Sequence, residues 1–361
     1  MVKGIGAVRL QALLNYFGDP QVAWQAPADA LLNTGLSPKI VDSLVHLRAT
    51  LDLEKVMDRL GQLKVTVITR EEDSYPRRLK EIEQPPPVIY VRGEILPEDD
   101  FAVAVVGTRR ITVYGRQVAE EIGTFLAQNG ITVVSGLARG VDAVAHDSAI
   151  KAGGRTFAVL GCGVDRIYPP EHQRLAERIM ECGALISDYA PGTPPDAINF
   201  PPRNRIIAGL SLASVVVEAG ETSGALITAT FAAEQGRDVL AVPGNINAPQ
   251  SKGANRLIQQ GARPLLKVED ILDALKLDHV QSLQQARQVL PSDALEASIL
   301  VLMSAEPIHV DEISSQSGLS IDKVSATLTM LELKGLVRQV GGMNYISVRE
   351  PGAHYWTDDH V

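Results

Sequence analysis

The chain has 361 residues, 45% of them hydrophobic and 21% charged, with a formal net charge of −9. That length accommodates two or three domains, and no apolar run approaches the roughly 18 residues a membrane span needs, so a cytoplasmic protein without span or secretion leader is expected. An acidic balance argues against a broad nucleic-acid surface but leaves room for a local basic groove, so charge has to be read loop by loop.

Residues 1–62 read as a separate helical domain. Gly4-Ile5-Gly6 followed by VRLQALLNYFG, and Thr34-Gly35-Leu36-Ser37 followed by PKIVDSLVHL, repeat one pattern of glycine turn plus amphipathic helix. The pair resembles helix-hairpin-helix units of a SAM-like domain. Few basic residues flank the turns, which favours a packing role over a grip on DNA phosphate. The first hairpin lacks a preceding helix, which points to a start codon upstream of Met1.

From 63 to 275 the expectation is an α/β core. Short strands are expected at 64–68 and 88–91 around a proline-rich connector, then strands at 101–106, 131–134, 156–160, 184–187, 213–217, 239–242 and 264–266, alternating with helices. FAVAVVG from Phe101 is a continuous apolar run, as a strand covered on both faces requires. Between Ile131 and Val164 lies a strand, glycine loop, helix (Asp142 to Lys151), strand and second glycine loop, a βαβ unit whose crossover makes the strands parallel. The fold class is therefore a Rossmann-like, doubly wound parallel sheet, and its loops open at the edge where helix N-termini favour phosphate.

Those loops share a chemistry. The first, Gly107-Thr108-Arg109-Arg110, replaces the GxGxxG of a dinucleotide-binding turn with a hydroxyl and two forked guanidinium groups suited to phosphate. Ser135, Gly136 and Arg139 follow the second strand, and Gly161 and Gly163 the third. Arg203, Asn204 and Arg205 in FPPRNR are placed ahead of an apolar helix. Ser223 and Gly224 open another helix, and Gly244, Lys252, Gly253 and Asn255 follow the sixth strand. Six such loops, rich in Gly, Ser, Asn and Arg, exceed what strand-to-helix turns alone demand. Aromatic residues are scarce at 4%; Tyr168 and Phe200 are the candidates for base stacking, with a plain core role as the alternative. Cys162 and Cys182 lack CxxC spacing and read as buried reduced thiols. The histidines form no pair at ligand spacing, and neither a metal nor another cofactor is expected.

Residues 276–292 are a polar, Gln-rich linker. From 293 to 349 the pattern is helix, helix-turn-helix around Gly318, a helix over Ile321 to Lys334, and strands near Val337 to Gln339 and Tyr345 to Val348: a winged helix, followed by a tail at 350–361. With 4 basic and 10 acidic residues over 292–361, a protein-contact or regulatory role is favoured over duplex binding.

The segments VVGTRR, SGLARGVDAVAH, LGCGVDRIYP, FPPRNRIIAGLS, VVVEAGETSGALITATFAAEQGRDVLAVPG and KGANRLIQQGA resemble the successive motifs of the DprA/Smf family, the bacterial DNA-processing protein A, over roughly residues 65–275. The resemblance implies a protein that binds single-stranded DNA, dimerises through its Rossmann domain, loads the RecA recombinase during natural transformation and catalyses no reaction. Some relatives have a lysine or arginine after the Tyr-Pro turn where this chain has Glu171, which leaves that phosphate contact open. A nucleotide phosphoribohydrolase of the lysine-decarboxylase-like group is the rival from another class, and a nucleotide-sensing or protein-interaction scaffold is a third reading. Against the hydrolase, the glutamate position of its PGGxGTxxE motif falls on Ile227, which can neither take a proton nor steady an oxocarbenium ion.

Overall fold

The computed structural model describes residue 2 and residues 4–275, 294–303, 307–333 and 337–347, in two compact units, Met1–Leu275 and Lys276–Val361. The expected linker and tail lie outside the described residues.

The first unit opens with helices α1 (Ala7–Phe17), α2 (Pro20–Gln25), α3 (Ala28–Leu32), α4 (Pro38–Thr50) and α5 (Leu53–Gln62). Gly4 and Gly35, at φ of +100° and +83°, supply the left-handed turns that precede α1 and α4, a conformation an L side chain resists. Leu13, Leu31, Val41 and Leu44 form a small core of their own. Helix α5 belongs elsewhere: its Leu60 packs with Val65, Leu137 and Ile179 against the sheet domain.

The sheet domain comprises β1 (Thr66–Thr69), α6 (Arg77–Lys80), β2 (Val88–Gly93), β3 (Ala102–Val106), α7 (Val113–Gln128), β4 (Thr132–Ser135), α8 (Val141–Lys151), β5 (Thr156–Val159), α9 (Gln173–Cys182), β6 (Gly183–Ser187), α10 (Phe200–Gly209), β7 (Ala213–Val216), α11 (Ala225–Glu234), β8 (Asp238–Ala241), α12 (Lys252–Gln259) and β9 (Arg263–Pro264). The strand order is β1-β2-β6-β5-β4-β3-β7-β8-β9. Pairs β1/β2 and β2/β6 are antiparallel, and all pairs from β6 through β9 are parallel. Every residue of β3 to β7 is buried, because period-two alternation sends neighbours into opposite apolar layers. On β5, Phe157 and Val159 join one core, while Ala158 joins the other. The winding direction reverses between β3 and β7, so the crevice beyond their carboxyl ends is the topological switch point of the sheet.

The second unit has helices Ala294–Val301, Val310–Ser317 and Ile321–Leu333 with a three-stranded sheet of Ile308–His309, Asn344–Ser347 and Val337–Gly341 in that order. Gly318, at φ +70°, ends the second of these helices in the left-handed conformation. Ile299, Ile313, Val324, Leu328 and Tyr345 form its core, and the pattern is the winged helix expected from the sequence.

Candidate functional site

A cavity of about 830 Å³ opens at the switch point, lined by Gly107, Thr108, Arg109, Arg110, Tyr168, Phe200, Arg203, Asn204, Ser223 and Gly224 among others. Five of the six loops singled out in the sequence contribute to this crevice, the one after β4 through Ala138 and the one after β8 through Pro249 and Gln250. Phe200 is its centre. Its ring lies 5.6 Å from that of Tyr168 at an interplanar angle of 38°, with the Arg109 guanidinium carbon 5.9 Å and the Arg203 carbon 5.7 Å from the ring centroid. Gly161 lies beneath it, where a Cβ would stand 2.8 Å from the Phe200 ring; glycine is required there to seat the aromatic. Tyr168 is exposed and Phe200 half-buried, so both rings are open to a planar guest. Arg109 and Arg110 are exposed on the rim.

At several other singled-out positions the polar groups are engaged inside the fold. Helix α10 begins at Phe200 itself, because Pro201 and Pro202 carry the φ that a first turn needs. Arg203 and Arg205 thus lie within the helix and diverge. Arg203 is buried and donates to the carbonyl oxygens of Gly136, at 3.0 Å, and of Val159, tying the ends of β4 and β5 to the back of Phe200. Burial pulls its guanidinium down to about 10, with Asp142 opposing, so it stays charged at neutral pH. Arg205 points away from the crevice and pairs with Asp188 at 2.8 Å, its side chain 12% exposed. Asn204 donates to the Gly224 carbonyl oxygen at 3.2 Å, holding that loop in place.

Ser135 is buried and donates to the Val105 carbonyl oxygen. The Gly136 amide donates to Asp142 Oδ2 at 3.1 Å, as does that of Ala138 at 3.2 Å; an internal carboxylate thus takes the amides of the loop before α8. Burial pushes the Asp142 carboxyl up, against the opposing pull of Arg203. Arg139 is paired with Glu171, which follows the Tyr168-Pro169 turn. The Gly163 amide is taken by the Thr193 carbonyl. Asn255 exchanges two hydrogen bonds with the Gly244 backbone, and the Gly253 amide donates to Ala219. Lys252 is exposed at the start of α12, outside the crevice lining.

Thr222 and Gln250 line the crevice without having been singled out in the sequence; adjacency to Ser223 was a signal for the first, and none existed for the second. Of the acids near the hydrolase-like loop, Glu218 is 3% exposed and accepts from Thr112 on both oxygens, at 2.5 and 3.0 Å, while Ile227 lines the cavity wall. The two cysteines are free, Cys162 buried and Cys182 partly so. Burial pushes the Cys162 thiol up to about 11, which keeps it protonated and inert at neutral pH. Among the described residues no helix is long and apolar enough to cross a membrane and no cluster of metal-ligating side chains occurs.

A doubly wound α/β domain whose switch-point crevice is lined by arginines and aromatic rings, in a chain that also carries a winged helix, defines a class of Rossmann-type binding proteins. Residues 66–276 match the family described as DNA recombination-mediator protein A, and residues 284–343 match the DprA winged helix domain. The chain belongs to this DprA/Smf family. It is 36% identical to the protein Smf of Synechocystis sp., over 95% of this chain and 96% of that one. It is 40% identical to the DNA processing protein DprA of Bacillus subtilis, over 63% of this chain and 77% of that one. Among solved structures, DprA from Streptococcus pneumoniae superposes with a TM-score of 0.66 at 33% identity, covering 75% of this chain and 94% of that one. The DNA processing protein A of Helicobacter pylori, described for its single-stranded DNA binding mode, gives 0.54 at 28% identity, covering 60% and 97%.

Proposed function

We propose that this chain binds single-stranded DNA in the switch-point crevice, without sequence preference, protects it as it enters and loads the RecA recombinase onto it in the cytoplasm during natural transformation and DNA processing. The observation that carries the reading is Phe200, half-buried beside the Tyr168 ring and near the guanidinium groups of Arg109 and Arg203, in a crevice rimmed by Arg109 and Arg110. A ring of this kind stacks on any base, and exposed arginines follow a phosphate backbone regardless of sequence. The single-stranded DNA named in the description of the Helicobacter pylori relative supports the same guest. We read the chain as a binding protein and not as a hydrolase, since Glu218 is engaged by Thr112 and an isoleucine occupies the catalytic glutamate position.

The active unit in this proposal is a homodimer formed through the Rossmann domain. Residues 101–275 hold 16 basic against 17 acidic side chains, so one subunit offers a confined groove that neutralises few phosphates. A strand spanning two grooves makes the second contact intramolecular, raising avidity by about two to four orders of magnitude. Titration of single-stranded and duplex oligonucleotides of increasing length at several salt concentrations, with the full chain and a version ending at Leu275, tests both claims. Preference for single strands with a length threshold in both versions is expected. Binding that needs residues 276–361, or that ignores strand length in a monomer, would refute them.

A further inference from the structure

In a doubly wound sheet the helix that follows the strand at the switch point is the one whose N-terminus receives a nucleotide phosphate. Here that helix is α7, after β3, and its entrance is filled. Glu218 reaches across from the end of β7 with its carboxylate almost fully buried. One oxygen accepts from the Thr112 amide at 3.0 Å and the other from the Thr112 hydroxyl at 2.5 Å. Thr112 in turn caps the helix, accepting from the Gly115 amide at 3.0 Å. Two further donors of the loop are used: the Thr108 amide by the Glu218 carbonyl oxygen at 2.7 Å, and the Arg110 amide by Thr108 Oγ1 at 3.1 Å. Room for the carboxylate comes from Gly115, where any Cβ would stand 2.3 Å from Glu218 Oε2.

We infer that Glu218 is a built-in anion that occupies the switch-point phosphate site, so that the crevice takes the interior of a strand by its bases and rim and refuses free nucleotides and terminal phosphates. A negative group satisfies the helix dipole and the cap donors as a phosphate would, and a second anion there would meet uncompensated repulsion at close range. Asp142, in the first turn of α8, folds back onto the Gly136 and Ala138 amides of the loop before it, leaving the guanidinium groups of Arg109 and Arg110 as the cations on the rim. Glu218 is in this sense a specificity-determining residue, and the inference deepens the strand-binding reading on which its second half rests.

The test removes the plug. In Glu218→Ala the Thr112 amide and hydroxyl lose their acceptor, and an anion of phosphate size restores it. Thermal unfolding of full-length wild type and variant is followed with inorganic phosphate, and separately with 2′-deoxyadenosine 5′-monophosphate. The variant should gain about 3 °C or more at ten times the dissociation constant over the rise wild type shows in the same buffer. Equal shifts in the two proteins overturn the inference. Should the variant not fold with or without phosphate, wild type alone decides: stabilisation by the mononucleotide overturns the inference, and indifference to it upholds it. Oligonucleotides with and without a 5′-phosphate form the last arm, and a preference of threefold or more for the phosphorylated end would contradict it. Loss of strand binding altogether would remove the proposed function while leaving anion rescue of the variant to stand on its own.

Discussion

Replacing Phe200 by leucine removes the ring while keeping most of its apolar volume. The ring makes no hydrogen bond; it is held by Gly161 below, Tyr168 beside it and two guanidinium carbons at 5.9 and 5.7 Å. What the substitution deletes is therefore stacking on a base, worth about 1–3 kcal/mol, together with the cation–π contribution that fixes where Arg109 points. Affinity for single strands should fall roughly 5- to 150-fold. Because no charge is lost, the slope of log affinity against log salt should stay as in wild type, and an abasic site placed in a short strand should erase much of the difference. Fluorescence anisotropy at four salt concentrations reads both quantities. If Phe200→Leu binds as wild type does, or if its defect consists of a changed slope, the aromatic ring is not where bases sit and the crevice has been misread.

Arg109→Ala should weaken binding to all sequences alike and make the salt slope shallower by about one unit; an unchanged slope would mean that this guanidinium meets no phosphate. Arg205→Ala should behave otherwise, because it strands the partly buried Asp188 without its partner: a loss of roughly 3 kcal/mol of stability with the salt slope intact, and a shallower slope would restore Arg205 to the interface. His146 is fully buried, and burial pushes its imidazole from 6.5 down to about 3. The unfolded chain therefore takes up the proton first, and stability present above pH 6.5 is lost as pH falls toward 3, by about 2 kcal/mol at pH 5. Urea titrations at pH 7 and pH 5 should show that loss in wild type and much less of it in His146→Gln; equal losses would assign the acid sensitivity elsewhere. The tautomer behind this is set by Thr156, whose hydroxyl donates to the Val133 carbonyl and so accepts from His146 Nδ1 at 2.7 Å, leaving Nε2 buried and without a hydrogen-bond partner.

Strands β3 to β7 were legible because burial on both faces writes them as unbroken apolar runs, and all nine strands lie within two residues of the spans expected. Phe200, Tyr168, Arg109 and Arg110 were legible because aromatic and arginine side chains are conspicuous in loops otherwise made of glycine and serine. The commitments of the remaining polar groups were not, and FPPRNR shows why. Successive residues of a helix turn by about 100°, so side chains two apart point about 200° apart, and Arg203 and Arg205 can share a binding face only if the helix starts after them. The two prolines mark the opposite, a helix already begun at Phe200. Once that start is fixed, one arginine must face the sheet and the other the flank, and each finds an internal acceptor there. Glu218 posed the reverse problem. At the end of the run VVVE nothing nearby in the sequence offers it a partner, and the amide and hydroxyl it accepts from are 106 residues earlier in the chain. No local pattern announces a bond across that distance. What local pattern does supply is Gly115 in the first turn of α7, a helix position where glycine is costly unless something must come close, and the carboxylate of Glu218 is what comes close. The charge of such a crevice is thus not the sum of its arginines: the carboxylates of Glu218 and Asp142 are turned inward onto backbone amides, and what the rim exposes is the guanidinium groups of Arg109 and Arg110.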